Sequence, residues 1–346
     1  MKAMQLAQSP AAQAALKLVQ TLQKQLVAEL DRLPPAAGKT RFEAVEWLRA
    51  GGAFGGGQRF VAHDPAVFNR ASVNVSQVQY ENEPQRKLAS ASAISAIVHP
   101  RHPLAPSMHM HVSWTEMKGG SGYWRMMADL NPSIPSEAAR AEFEASLREA
   151  AGSLFEQGKK QGERYFYIPA LERHRGIAHF YLEDFRSADP AADERMALAL
   201  GQSAIKTYGA IVSAVLEKNP PYGQKEREQQ LAYHSLYFLQ VLTLDRGTTS
   251  GLLVHDENDA GILGSLPSHV DRKLLQSWLP RLPQLQQILF KGLIEALPET
   301  DEPLIDDAVK LKLAAVSRAF YQKHPEAQEL LARGDVVPPT QENHRS

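Results

Sequence analysis

The sequence predicts an α+β protein built around one large antiparallel sheet, and three observations carry that reading. From Gln58 to about Leu130, five consecutive segments (QRFVA, SVNVSQVQY, ASAISAIV, SMHMHVSW and GYWRMMADL) show period-two alternation, β-branched residues and Gly or Pro punctuation. Their joints are shorter than the dozen or so residues of a parallel crossover, so neighbouring strands are expected to run antiparallel. Helical spacing dominates before Pro34 and again after Pro135, with no repeat and no long linker, which makes one domain the simplest organisation.

The elements follow in order. Leu16, Leu18, Val19, Leu22, Leu26, Val27 and Leu30 recur at helical spacing and stop at Pro34-Pro35, which predicts an amphipathic opening helix. Thr40 before RFEAVEWLRAGG, with Glu43 three residues on, has the form of a capping box, and Gly51-Gly52 closes a short predicted helix. After the five strands, residues 135–161 predict a helix, RYFYI and GIAHFYLEDF two strands, and 190–218 and 224–235 further helices. YFLQVLTLDRG predicts another central strand. From Ser268 the pattern is helical with breaks at Pro280, Pro283, Pro298 and Pro303; beyond Ala332 it turns polar and is expected to fray.

Composition removes several functional classes. The 346 residues are 43% hydrophobic and 22% charged, with a formal net charge of −1, which argues against nonspecific nucleic-acid binding. There is no cysteine, so disulfides, thiolate metal sites, iron–sulfur clusters and cysteine nucleophiles are excluded. No segment approaches the roughly 20 apolar residues of a membrane span, and no secretory signal opens the chain; the expected location is cytoplasmic.

The candidate chemistry centres on PSMHMHVSW. As a strand it places Ser107, His109, His111, Ser113 and Thr115 on one face and Met108, Met110, Val112 and Trp114 on the other. The polar row lines a pocket or faces solvent; alternatively His109 and His111 hold a metal with a carboxylate or a third histidine, for which His99, Glu144, His174 and His179 are candidates. Asp129, where a strand runs into a proline turn, is a functional carboxylate or an Asx cap. Arg246, after an apolar segment, grips a ligand carboxylate bidentately or pairs with Asp245. The run GGAFGGGQRF lacks a P-loop lysine and leads into a strand, so its glycines serve close packing or positive φ.

Taken in order, GGGQRF, ASVNVSQV, SAISAIVHPRHPLAPSMHMHVSW, ADLNP, YFYI with RGIAHFYLEDF, LDRGTTSGL and ILGSLP resemble oxygen-dependent coproporphyrinogen III oxidase over about residues 52–267. The resemblance implies a sheet flanked by helices on both faces, a family domain over 1–267, and a helical extension over 268–346 packed on the same domain with its last residues disordered. It also implies a homodimer in haem biosynthesis that decarboxylates two propionates of a tetrapyrrole to vinyls. Molecular oxygen would be the co-substrate, with no organic cofactor and with a divalent metal an open question. By position, His109 falls on the catalytic histidine, Ser95 on a substrate-contacting serine, and Asp129 on the aspartate that would hold pyrrole nitrogens. Arg246 and Arg175 fall on arginines, with Arg246 expected to grip a carboxylate. His111 and Ser113 stand where the family has Asn and Arg. Arg125-Met126-Met127 stands in place of three glycines where substrate would approach, and Asp256-Glu257-Asn258 in place of a Gly-Ser-Arg turn that binds a carboxylate. Of four histidines proposed as bacterial metal ligands, His99 and His109 remain, the others being Glu144 and Ala170. These departures leave two alternatives: a paralogue oxidising another small molecule with iron on His109, His111 and Glu144 or Asp129, and a tetrapyrrole binder without turnover.

Overall fold

The computed structural model describes residues 4–35 and 40–344. The elements run α1 (Pro10–Asp31), β1 (Phe42–Leu48), β2 (Gly55–Ala62), β3 (Phe68–Gln79), β4 (Leu88–Pro100), β5 (Ser107–Met117), β6 (Gly122–Asn131), α2 (Glu137–Ala151) and α3 (Phe155–Phe166). Two short strands, β7 (Tyr167–Ile168) and β8 (Arg173–His174), precede β9 (Ala178–Phe185), α4 (Pro190–Lys218), α5 (Gln224–Thr243), α6 (Arg246–Val254) and α7 (Asp259–Ile262). The last elements are α8 (Arg272–Trp278), α9 (Gln284–Glu295), α10 (Asp307–Lys323) and α11 (Thr340–His344). Seven strands form one sheet in the order β1-β2-β3-β4-β5-β6-β9, every pair antiparallel.

The period of two divides this sheet into a core face and a polar face. On one side Val73, Val75, Ile94, Met108, Met110, Val112, Met126 and Phe180 pack with residues of α1, α2 and α4 into one core. Fully burying a side chain of this size contributes about 1.5–3 kcal/mol, so a one-residue slip of β5 would expose three such residues and bury two histidines. The opposite face is covered near β9 by α3 and elsewhere by α5 and α6, so helices flank the sheet on both faces as expected. A second core joins α5 to the helices after Ser268 through Phe238, Leu242, Leu275, Phe290, Leu293 and Leu313.

Three segments depart from the expected secondary structure. RFEAVEWL is the edge strand β1, not a capped helix: it pairs with β2 from Phe42↔Ala62 to Leu48↔Gly56, and tertiary pairing overrides a short local signal. Its Trp47 Nε1 donates to Asn74 Oδ1 at 3.1 Å, and a Cβ on Gly57 would lie 2.2 Å from the Val75 carbonyl oxygen, so that glycine keeps adjacent backbones in contact. Arg164–Phe166 of RYFYI is the last turn of α3, and only Tyr167–Ile168 is strand. YFLQVLT is the end of α5, where every residue from Tyr233 to Thr243 is buried. A helix buried on all sides has no hydrophobic period and reads like a central strand. Past Ala332 the described residues reach α11, with Asn343 buried, while Arg345 and Ser346, the last residues expected to be disordered, lie outside the described residues.

Candidate active site

The polar face of the sheet is the floor of a cavity of about 290 Å³. Small residues on β4, Ala91, Ala93 and Ser95, make the middle of that floor low and flat. His109, His111, Ser113 and Thr115 stand beside them on β5, in the row that strand alternation predicts. Asn74, Ser95, His111 and Met127 lie in register across four strands. Tyr237 and Val241 of α5, Arg246 to Val254 of α6, and Pro338, Thr340, Asn343 and His344 of the tail enclose the remainder.

At one end His109 is opposite Asp129 in the β5–β6 register, and its Nδ1 lies 2.7 Å from Asp129 Oδ1. A carboxylate only accepts, so Nδ1 carries the proton and Nε2 is left as a base without a partner among the described residues. Asp129 has no exposed surface; its Oδ2 accepts from Arg175 Nη2 at 2.7 Å and from Asn131 Nδ2 at 2.6 Å. Burial pushes that carboxyl up, but Arg175, His109 and Asn131 outweigh it and hold it well below the usual carboxylate range. Arg175 is itself 1% exposed, donates to Gln240 Oε1 at 2.8 Å, and is pinned between the rings of Phe166 and Tyr237 at 4.5 and 4.9 Å. Burial disfavours its charge, and Asp129 more than restores it. The outcome is a fixed chain, Arg175–Asp129–His109, ending in one free imidazole nitrogen at the cavity floor.

The remaining candidates divide. Ser95 faces the cavity with its hydroxyl unpartnered among the described residues. His111 Nε2 is 3.0 Å from Ser113 Oγ, and burial together with Arg125 and His109 pushes its pKa well down, which makes it a neutral hydrogen-bonding group. Asp129, expected to hold pyrrole nitrogens, is fully buried, does not line the cavity, and accepts from His109. Arg246 lines the cavity but neither pairs with Asp245 nor presents a free fork: Nε donates to Ala332 O at 3.3 Å and Nη2 to Gln328 O at 3.2 Å. Asp245 instead caps α6 through Thr248 N at 2.6 Å and accepts from Tyr165 at 3.0 Å. Arg246 therefore fastens the base of the tail.

The metal candidates are not brought together. His99 is fully buried, with Nδ1 2.9 Å from Ser107 Oγ and Nε2 3.1 Å from Ser265 O, so neither nitrogen is open to an ion. Glu144 belongs to a separate surface cluster, 2.8 Å from Lys159, near His174 and His179, which flank Glu163 at 3.1 and 3.2 Å. Among the described residues no three His, Cys, Asp or Glu side chains converge as a metal site. His99, His109, His111 and Glu144 thus do not fit one shared ion, and the chemistry of the site is read without one.

Two departures from the family pattern also look different in three dimensions. Arg125 and Met127 face the cavity, whereas Met126 points into the opposite core, so two bulky groups enter and not three. Arg125 is opposite Ser113 in register and is held by Glu183 at 3.1 Å. Glu257 and Asp256 do not line the cavity; Glu257 accepts from Ala50 N at 2.8 Å, and only Asn258 reaches the lining. Sequence reasoning missed His255, Asn343 and His344 as cavity residues, and no local signal marks them.

An antiparallel sheet with an imidazole braced by a buried carboxylate–guanidinium pair, under a roofed cavity, defines an α+β scaffold with a candidate acid–base site. The chain belongs to the coproporphyrinogen III oxidase family: the family model described as "Coproporphyrinogen III oxidase" matches residues 14–278. It is 30% identical over 253 residues to the oxygen-dependent coproporphyrinogen-III oxidase of Drosophila melanogaster, covering 66% of this chain and 64% of that protein, so it spans just under two thirds of that relative. It is 30% identical over 248 residues to the enzyme of that name from Rickettsia akari (66% of this chain, 85% of the relative). Identity is again 30%, over 261 residues, to the one from Rickettsia africae (70% and 88%).

Proposed function

We propose that this protein is an oxygen-dependent coproporphyrinogen III oxidase, converting propionate side chains of the tetrapyrrole to vinyl groups. Each turnover releases one carboxylate as CO₂ and removes two electrons with a hydrogen from the adjacent carbon, and O₂ accepts the electrons. The substrate ring is rich in electrons and carries N–H groups, so the task for the protein is to move protons and hold anions. The observation that carries the reading is the Arg175–Asp129–His109 chain, which leaves one unpartnered imidazole nitrogen at the floor of the cavity in a member of this family.

In this reading His109 Nε2 takes and returns the proton, Asp129 fixes its tautomer and supports the imidazolium, and Arg175 keeps Asp129 ionised. Ser95 and His111 offer neutral hydrogen-bonding groups beside it. Arg125 supplies a guanidinium next to Ser113. The reading includes a homodimer and a cytoplasmic location, which sedimentation and cell fractionation test separately.

The decisive assay supplies coproporphyrinogen III under air and follows vinyl-bearing product and oxygen uptake. The expected result is protoporphyrinogen IX with stoichiometric oxygen consumption. No vinyl product beside an active control enzyme overturns the assignment, and bound but unchanged tetrapyrrole would then favour a non-catalytic binder.

A further inference from the structure

The end of the cavity away from His109 has a feature that the reaction does not absorb. Arg49 and Arg86 both lie against the ring of Tyr80, with guanidinium carbons 5.3 and 4.2 Å from its centroid. Neither has a carboxylate partner among the described residues. Arg49 contacts His255 Nδ1 and donates to Val254 O at 3.3 Å, while Arg86 donates to the His344 carbonyl and its buried Nε has no acceptor. His344 Nδ1 meets the Tyr80 hydroxyl at 3.0 Å, and the His344 and His255 rings are 5.4 Å apart, edge to face. Arg49 and Arg86 are half-buried and rest on carbonyls and rings, as the half-buried Arg70 rests on the carbonyls of Leu266 and Ile305, whereas the fully buried Arg41 and Arg175 are paired with Asp64 and Asp129. Two guanidiniums on one ring repel each other, and a bound anion would relieve that repulsion beyond what Glu257 and Asp256, which favour the charge of Arg49, already supply.

We propose that Arg49, Arg86, His255 and His344 form a carboxylate-binding subsite at the end of the cavity opposite His109. His255 and His344 line the cavity and the two guanidiniums stand directly behind them. His109 is opposite Ile97 and Thr115 opposite Ala91, so six residues of β5 separate the base from the level of this cluster. At about 3.3 Å per residue that is about 20 Å, a span that one ligand covers only if it is large and carries its acid far from its reacting group. A tetrapyrrole with acidic arms around its rim meets that requirement, and to this extent the inference rests on the proposed function. His344 lies in the tail beyond the residues that the family model matches, so the subsite is completed by a segment outside that match.

The cluster has a readable resting state. Burial, Arg49 and Arg86 push His344 down to about 3, and burial, Arg49 and His344 push His255 well below its ordinary value, so both imidazoles are neutral when no anion is present. An anion seated among them lowers the cost of protonating either ring.

The test has two arms on the full chain. In the first, coproporphyrin III and its tetramethyl ester are titrated into wild type and Arg86→Gln. The variant is expected to weaken binding of the free acid about tenfold, through loss of the positive charge behind His344, and to leave the ester unchanged. Equal weakening of both ligands, or of neither, overturns the subsite. In the second, glutarate is titrated into wild type while the imidazole resonances of His255 and His344 are followed; both should shift, and their absence of response at saturating glutarate overturns the subsite without any variant. Wild type that ignores both porphyrins while glutarate still moves the two resonances would remove the tetrapyrrole reading and keep the anion site.

Discussion

The two ends of the cavity handle buried charge in opposite ways. Around His109 every buried charge has its counter-charge in the fold: Asp129 faces Arg175 at 2.7 Å, and Arg125 faces Glu183 at 3.1 Å. Around Tyr80 the guanidiniums have only carbonyls, imidazoles and aromatic faces. The first arrangement pairs its charges within the fold and holds one nitrogen in place; in the second a bound anion would relieve the repulsion between Arg49 and Arg86. On the proposed reading chemistry belongs to the first end and recognition to the second, and substitutions at the two should be separable.

The largest effect is expected at the complete end. Replacing His109 by Gln keeps a polar group of similar reach but removes the base, and kcat should fall by a factor of about 10²–10⁴ with little change in substrate Kd. A loss confined to Kd would move the chemistry elsewhere in the cavity. Arg175→Met comes next. It leaves Asp129 buried without its main partner, which costs about 3–5 kcal/mol of stability in comparable cases. A thermal melt within 2 °C of wild type, a small shift on the usual scale, would show that the pair is not the brace described.

Effects on the tail should be smaller. Arg246 holds the carbonyls of Gln328, Leu331 and Ala332, and Arg164 holds Asp335 at 2.6 Å. Arg246→Met removes the hydrogen bonds at the base of the tail, each worth about 0.5–1.5 kcal/mol net. Faster hydrogen exchange is expected across 333–344, with the sheet unaffected. Exchange unchanged across the tail would mean that its tip, not its base, holds it.

What the sequence made legible follows from how local each signal is. The period of two in PSMHMHVSW placed His109 and His111 on the cavity face and Met108 and Met110 in the core, because a strand fixes side-chain direction residue by residue. Asp129 and Arg175 were legible as positions, but the role expected of Asp129 was not, since its burial depends on Arg175 and Asn131 closing over it. The later half of α5, from Tyr237 to Thr243, was illegible because burial all round erases its period, and β1 because its edge pairing is set by β2. The Tyr80–His344 contact joins residues 264 apart, and nothing in the polar tail encodes its destination.

That same contact gives the smallest and most specific prediction. Burial, Arg49 and Arg86 all disfavour the charged form of His344 and push it down to about 3 from an ordinary value near 6.5. The unfolded or released tail takes up the proton first, so docking is fully favourable above about pH 6.5 and weakens as pH falls from there toward 3. Hydrogen exchange at 333–344 should therefore rise between pH 7 and pH 5, once corrected for the intrinsic rate, while the central strands stay protected. His344→Phe keeps an aromatic ring beside Tyr80 without a titrating nitrogen, and it should reduce that rise, with His255 accounting for what remains. A bound carboxylate should also reduce it, because the anion offsets the repulsion from both arginines. An acid response identical in wild type, His344→Phe and the liganded protein would mean that the tail is not held by this cluster, and the difference between the two ends would then lie in the floor of the cavity alone.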